Sequence, residues 1–187
     1  MPHHPTQHID PRILADISED TALRAAAVLI AVSRPTSSEA SRVVLTLRSE
    51  KLSSHAGQVS LPGGSCDEQD CDAVATALRE AEEEIGLARK EVEVIGQMSE
   101  IALPSGFKIT PVVGLINSGI ALTPCPREVA AIFHPPLDLL LDPDAYSRST
   151  AYYRGADRTI LEMPYEGYRI WGATAAILYS LAKQIRA

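Results

Sequence analysis

Three glutamates, Glu80, Glu83 and Glu84, lie close together downstream of the sequence Pro62-Gly63-Gly64, within a stretch from Leu61 to Leu87 that holds five glutamates and one arginine, Arg79. Carboxylates in this density supply hard oxygen donors suited to Mg²⁺ or Mn²⁺, ions that keep part of their water shell available for reaction. The glycines belong to the same chemistry, because a residue without a Cβ lets a backbone carbonyl come close to a ligand or metal. An acidic helix face alone would mean little, since like charges at helical spacing cost only ~0.2–0.5 kcal/mol per pair in water. It is the combination of a glycine turn, an acidic face and a terminating Gly86 that points to a cation site.

The acids need an element to hold them in register. Asp72–Ile85 is rich in helix formers, with Asp67, Asp70 and Asp72 near its start to complement the helix dipole and Gly86 to stop it. On a wheel of ~100° per residue with Glu80 at zero, Glu83 falls at roughly −60° and Glu84 at roughly +40°, whereas Val74, Leu78, Ala81 and Ile85 gather around roughly +130°. The expectation is a helix with an apolar face toward the core and a solvent-facing acidic side carrying all three glutamates.

Around this helix the sequence reads as strands. Ala25–Val32 and Arg42–Ser49 are β-branched and aliphatic runs joined by a polar segment, which suggests a β-hairpin with a loose loop. Glu91–Glu100 and Phe107–Ile116 read as two more strands separated by a turn at Pro104 and Gly106. Glu128–Pro136 begins as a short strand or a helix start, two tyrosine-rich strands flank Arg154–Asp157, and Ala173–Arg186 has the spacing and basic end of a C-terminal helix. Strands on both sides of one central helix build most simply into an α/β fold, a mixed sheet covered by helices.

At 187 residues and 45% hydrophobic content, the chain suits one domain. Residues 1–22 are expected to form an N-terminal extension and 23–187 a single domain. A net charge of −7 and a pI near 5.2, with no compensating Lys/Arg cluster, argue against nucleic acid as a partner. The apolar runs fall short of the ~20 residues that span a bilayer, and three cysteines, Cys66, Cys71 and Cys125, do not make a secreted disulfide framework. With no secretory signal visible, a cytoplasmic location is expected. His3, His4 and His8 read as a polar terminus, and Trp171 as a core residue. Motifs of P-loop, dinucleotide-fold and serine-hydrolase enzymes are absent.

Gly64–Leu87 resembles the Nudix box, G-x5-E-x7-R-E-U-x-E-E-x-G-U with U a bulky aliphatic residue. Arg79-Glu80, Glu83-Glu84 and Gly86-Leu87 fall in place, with Ala81 at a U position. Asp70 stands in place of the first glutamate, and eight residues rather than seven separate it from Arg79. The same extra residue occurs in the coenzyme A pyrophosphatase branch of that family, whose upstream pattern L-L-T-x-R-S-x3-R-x3-G-x3-F-P-G-G resembles Val44–Gly64. Leu45, Thr46, Arg48, Ser49, Gly57, Pro62, Gly63 and Gly64 match, while Ser53 replaces an arginine.

The resemblance implies a Nudix-type α/β/α sandwich with a mixed sheet that hydrolyses a pyrophosphate. The substrate implied is coenzyme A or its thioesters, giving 3',5'-ADP and 4'-phosphopantetheine or its acyl form. ADP-ribose or another nucleoside diphosphate derivative, and a non-catalytic nucleotide-binding module, are the alternatives. By the same resemblance Glu80 and Glu84, then Glu83 and the Gly63 carbonyl, would hold Mg²⁺ or Mn²⁺, and Arg79 would orient a glutamate. The general base would be a box glutamate such as Glu83, or Glu128 from a later loop. Arg48 and Lys51 would meet phosphate, with His55 and Gly57 in the same substrate signature. The partners implied are a small-molecule substrate and, as an option, a second copy of the chain in a homodimer, with neither nucleic acid nor membrane.

Overall fold

The strand Arg24–Ser33 consists of alanines and aliphatics and is buried over most of its length, as the middle strand of a covered sheet must be. Because side chains alternate along a strand, it divides the interior into two cores. Ala27, Leu29 and Ala31 point to one, Ile30 and Val32 to the other. The computed structural model describes residues 22–153 and 156–186. The expected N-terminal extension, with His3, His4 and His8, therefore lies outside the described residues except for Ala22.

In chain order the elements are β1 (Arg24–Ser33), β2 (Leu45–Arg48), β3 (Val59–Ser60), β4 (Gly63–Ser65), α1 (Ala73–Ile85), β5 (Glu93–Gln97), β6 (Ile101–Leu103), β7 (Phe107–Ile116), β8 (Val129–Phe133), α2 (Leu137–Leu140), β9 (Ser147–Tyr153), β10 (Ala156–Tyr165), β11 (Tyr168–Trp171) and α3 (Gly172–Ile185). One mixed sheet runs β4-β1-β7-β5, with β6 also on β7. β1 and β7 are parallel from Arg24 beside Phe107 to Ser33 beside Ile116, and the other pairings in that sheet are antiparallel. α1 covers one face through Ala77, Ala81 and Ile85. α3 and the two smaller sheets, β11-β10-β9 and β3-β2-β8, close the other face through Ile177, Leu178, Leu161, Met163 and Leu45. This is the α/β/α arrangement expected of the sequence.

Several local expectations change. β1 and β2 are not a hairpin: β2 pairs with β3 and β8, and only the isolated bridge between Val32 and Val43 links it to the end of β1. The physical reason is that β4 takes the edge of β1 opposite β7 over Ala26–Val28, and past the Val32–Val43 bridge the chain leaves β1 to pair with β8 and β3. The turn expected before Phe107 contains a further strand, β6, which folds back on β7 through a tight turn at Gly106. Glu128–Pro136 resolves as strand β8 rather than a helix start, and a third strand, β11, completes the tyrosine-rich sheet. Trp171 is half-buried rather than a core residue, with the Arg169 guanidinium 5.0 Å over its ring. Among the described residues no helix is long and apolar enough to cross a membrane.

Leu29 is fully buried between β7 and α1. Leu29→Ala should lower the free energy of unfolding by about 2–5 kcal/mol, as core truncations of this kind do. Urea titration followed by circular dichroism checks this.

Candidate functional site

The site is built where β4 meets the start of α1. Pro62-Gly63-Gly64, read from sequence as a turn, is the edge strand of the main sheet: the Pro62 carbonyl accepts from Leu29 N–H at 2.8 Å, and Gly63 and Gly64 lie opposite Val28 and Ala27. Both glycines are needed for close approach. A Cβ on Gly63, whose φ is 155°, would stand 2.3 Å from the Ala27 carbonyl oxygen, and one on Gly64 would stand 2.6 Å from the Glu80 carboxylate.

Helix α1 is fixed at both ends by the residues its sequence promised. Asp72 caps the start, its side chain accepting from Ala75 N–H at 2.8 Å, and Gly86, left-handed at φ 67°, ends it. Between these caps Arg79 joins the acids. Its Nε and Nη2 donate to Asp70 at 3.1 and 2.8 Å, its Nη1 to Glu80 at 2.8 Å and to Glu83 at 3.2 Å, and its Nη2 also to the Ser65 carbonyl at 3.1 Å. One planar fork thus positions three carboxylates, a task for which the single charged point of a lysine is unsuited.

Asp70, read from sequence as a charge near the helix start and as the residue in place of the box's first glutamate, anchors that fork. It also accepts from Thr76 Oγ1 and from Asp67 N–H, each at 2.9 Å. The Arg79 guanidinium, aided by these donors, holds the Asp70 carboxyl well below the usual carboxylate range despite burial. Asp70 lies ahead of the Asp72 cap, and its contact with Thr76 folds that segment back over the first turn of the helix.

The acidic side expected to face solvent is split by the fold. Glu83 is exposed at 57%, Glu80 is half-buried, and Glu84 is buried with 3% of its side chain accessible. The wheel contained this signal: Ala77, fully buried under β1, falls at roughly +60°, beside Glu84 at roughly +40°. Glu84 accepts from Gly63 N–H at 3.1 Å and faces Arg48 Nη1 at 3.7 Å. Burial, as the largest cause, pushes the Glu84 carboxyl up from the usual 4.5 to about 7, and the charges of Glu80 and Glu128 push the same way. Burial also raises Glu80, opposed by Arg79.

Other expected residues take varied places. Arg48 ends β2 and Glu128 precedes β8; Ser49 N–H donates to the Glu128 carbonyl at 2.8 Å, which brings the Glu128 segment beside Glu84. Lys51 and His55 stand exposed on the loop after β2, and among the described residues neither pairs with Glu80, Glu83 or Glu84. His55 contacts Gln58 instead, at 3.0 Å. Gly57, at φ 68°, donates to the Arg48 carbonyl at 3.1 Å and leaves room for the Glu50 carboxylate, which a Cβ would meet at 2.6 Å.

The donor set fits a divalent cation. Glu84 is buried and Glu80 half-buried beside it, with an excess of negative charge around them, and Gly64 leaves Glu80 space against the backbone. Among the described residues no three acidic, histidine or cysteine side chains yet close into a cage, since Arg79 draws Glu80 and Glu83 to itself while Glu84 turns to Gly63.

A raised folded-state value means that the contribution of Glu84 to stability is complete below its unfolded value and is lost as pH rises through the folded one. Cation-free protein should therefore lose thermal stability between pH 4.5 and about 7, and Glu84→Gln should flatten that slope, as read by melting temperature against pH.

Comparison with known proteins draws these features together. The NUDIX domain model matches residues 23–154. The chain is 42% identical over 144 residues to the uncharacterized Nudix hydrolase NudL of Photorhabdus laumondii, with 77% of each chain covered. It is 41% identical over 162 residues to NudL of Escherichia coli K12, covering 87% of this chain and 83% of that one. Among solved structures it superposes on the Nudix hydrolase RenU of M. smegmatis with a TM-score of 0.59 at 21% identity, covering 87% and 86% of the two chains. On the MutT protein of Methanosarcina mazei Go1 the TM-score is 0.55 at 16% identity, covering 90% and 99%. Those two likenesses are of fold. With the domain matched over most of its length and relatives above 40% identical, the chain belongs to the Nudix hydrolases, a family of pyrophosphohydrolases that use divalent metal ions.

Proposed function

We propose that this Nudix hydrolase cleaves the pyrophosphate of coenzyme A or its thioesters, releasing 3',5'-ADP and 4'-phosphopantetheine or its acyl form, with Mg²⁺ or Mn²⁺ as cofactor. The observation that carries the reading is the position of Arg48. The signature that includes it, Val44–Gly64, runs directly into the acidic site, and the Arg48 guanidinium stands 3.7 Å from Glu84. A substrate phosphate bound against the acids would meet that cation.

Glu80 and Glu84, with Glu83 and the Gly63 carbonyl, are the groups assigned to hold the metal. A cation bound there supplies neutralisation of the paired phosphate charges and a lowered pKa for attacking water. The protein's own part is positional. Arg79 keeps Glu80 and Glu83 in fixed rotamers without competing for metal, because it donates and cannot coordinate. Glu83, exposed on the helix, and Glu128, at the rim beside Glu84, are the two groups placed to take a proton from water. Arg48 and, from the exposed loop, Lys51, His55 and the backbone at Gly57 are assigned to the substrate.

Ser53 favours a second reading. It is exposed where the coenzyme A branch has an arginine, and without that cation the loop has less to offer an additional phosphate, which suits ADP-ribose or another nucleoside diphosphate derivative. Incubating the protein with coenzyme A and with ADP-ribose, in Mg²⁺ and in Mn²⁺, and identifying products by mass separates the two. Phosphopantetheine is the expected product, and cleavage of ADP-ribose alone would reject the coenzyme A assignment. Glu84→Gln should cut kcat by well over tenfold in the same assay. A wild-type rate in that variant would remove Glu84 from the metal site.

A further inference from the structure

The two arginines of the site are held in opposite ways. Arg79 is fixed by hydrogen bonds to three carboxylates and a carbonyl. Arg48 has a firmly held backbone, its N–H donating to the Gln58 carbonyl at 2.9 Å and its carbonyl accepting from Gly57 at 3.1 Å, but a loosely held side chain. Its Nε is buried with no hydrogen-bond partner among the described residues, and Nη1 lies 3.7 Å from Glu84 Oε1, beyond hydrogen-bonding distance. Arg48 lies at a register shift in the β2–β8 pairing, between Leu47 and Arg48, a kind of irregularity that re-aims side chains. Arg48 is 24% accessible and Glu84 3%, so the guanidinium has solvent to move into and the carboxylate does not.

We infer that Arg48 is a displaceable counter-ion: it neutralises Glu84 in the cation-free enzyme, and an arriving divalent cation takes its place and frees the guanidinium for the substrate's phosphate. The inference rests on the metal-site reading of Glu84 and adds a competition to it. A buried carboxylate without a positive partner is costly, so Glu84, when ionised, favours a positive neighbour both before and after metal binds. The contact with Arg48 is electrostatic and lacks a hydrogen bond that would have to be broken, which makes the exchange cheap. The orphaned Nε–H, left unpaired by this geometry, gains a partner once the guanidinium turns to a phosphate. Arg48 is thus a positioning residue for Glu84 before metal binds and a substrate contact afterwards.

The test is a titration with Mn²⁺ alone, free ion being followed by electron paramagnetic resonance at pH 8 without substrate, for wild type, Arg48→Met, Arg48→Lys and Glu84→Gln. Removing the competitor should tighten Mn²⁺ binding in Arg48→Met by about tenfold, within the usual range for coupled sites. Arg48→Lys, which keeps the charge, should stay near wild type. KM for the pyrophosphate substrate should move the other way and rise in Arg48→Met, a pair of opposite shifts that a merely structural role would not produce. Should Arg48→Met fail to fold, Arg48→Gln takes its place in the same titration. Unchanged or weaker Mn²⁺ binding in the folded variant, with binding lost in Glu84→Gln, overturns the inference and leaves the metal site standing. Mn²⁺ binding that survives Glu84→Gln overturns both.

Discussion

A carboxylate that loses its water must find positive charge or donors within reach, and the Glu84 carboxylate, nearly inaccessible beneath the main sheet, imposes that requirement on everything around it. The edge glycine offers a backbone N–H, the end of β2 offers Arg48, and the electrostatics remain adverse because Glu80 and Glu128 press negative charge on the same place. The proposed affinity for a divalent cation rests on this deficit more than on the number of acids in the helix. Glutamates 80 and 83 are already satisfied by Arg79, whereas Glu84 keeps the unmet demand.

The architecture serves that arrangement through shape as much as charge. Two adjacent glycines let β4 lie against β1 and let Glu80 lie against β4. Ala77 and Ala81, small residues on the buried side of α1, allow the helix to sit low on the sheet, and this brings a glutamate on the border of the apolar face into the interior. Asp70 completes the frame from outside the helix, so that Arg79 is gripped from one end while it orients acids at the other.

Much of this was legible in the sequence because it is local. Asp72, Gly86 and the helix formers between them set the boundaries of α1 to within a residue, and the unbroken apolar run Ala25–Val32 marked a buried strand. The layered class followed from the order of strands and helices. What could not be read depended on partners remote in the chain. Ala25–Val32 and Arg42–Ser49 look like a hairpin when taken alone, and only the distant Val129–Phe133, by pairing with β2, draws the second strand away from the first beyond a single bridge. The role of Asp70 was hidden for a related reason: its charge suits a helix start, and nothing in its spacing from Arg79 shows that the chain doubles back to bring them together. The burial of Glu84 was half visible, since Ala77 shares its arc, but the acidic neighbours masked it.

The parallel union of β1 and β7 bears on the order of events during folding. Ile30 lies beside Val113, and the whole glycine strand and acidic helix are contained in the loop that this pairing closes. Closing so long a loop is entropically expensive and slow, and on a chain emerging from a ribosome it must wait for the far strand to be synthesised. Until then β1, on which β4 lies, has its other edge unpaired. The arrangement of Glu80 and Glu84 against the glycine strand is thereby completed only after the loop that contains it has closed.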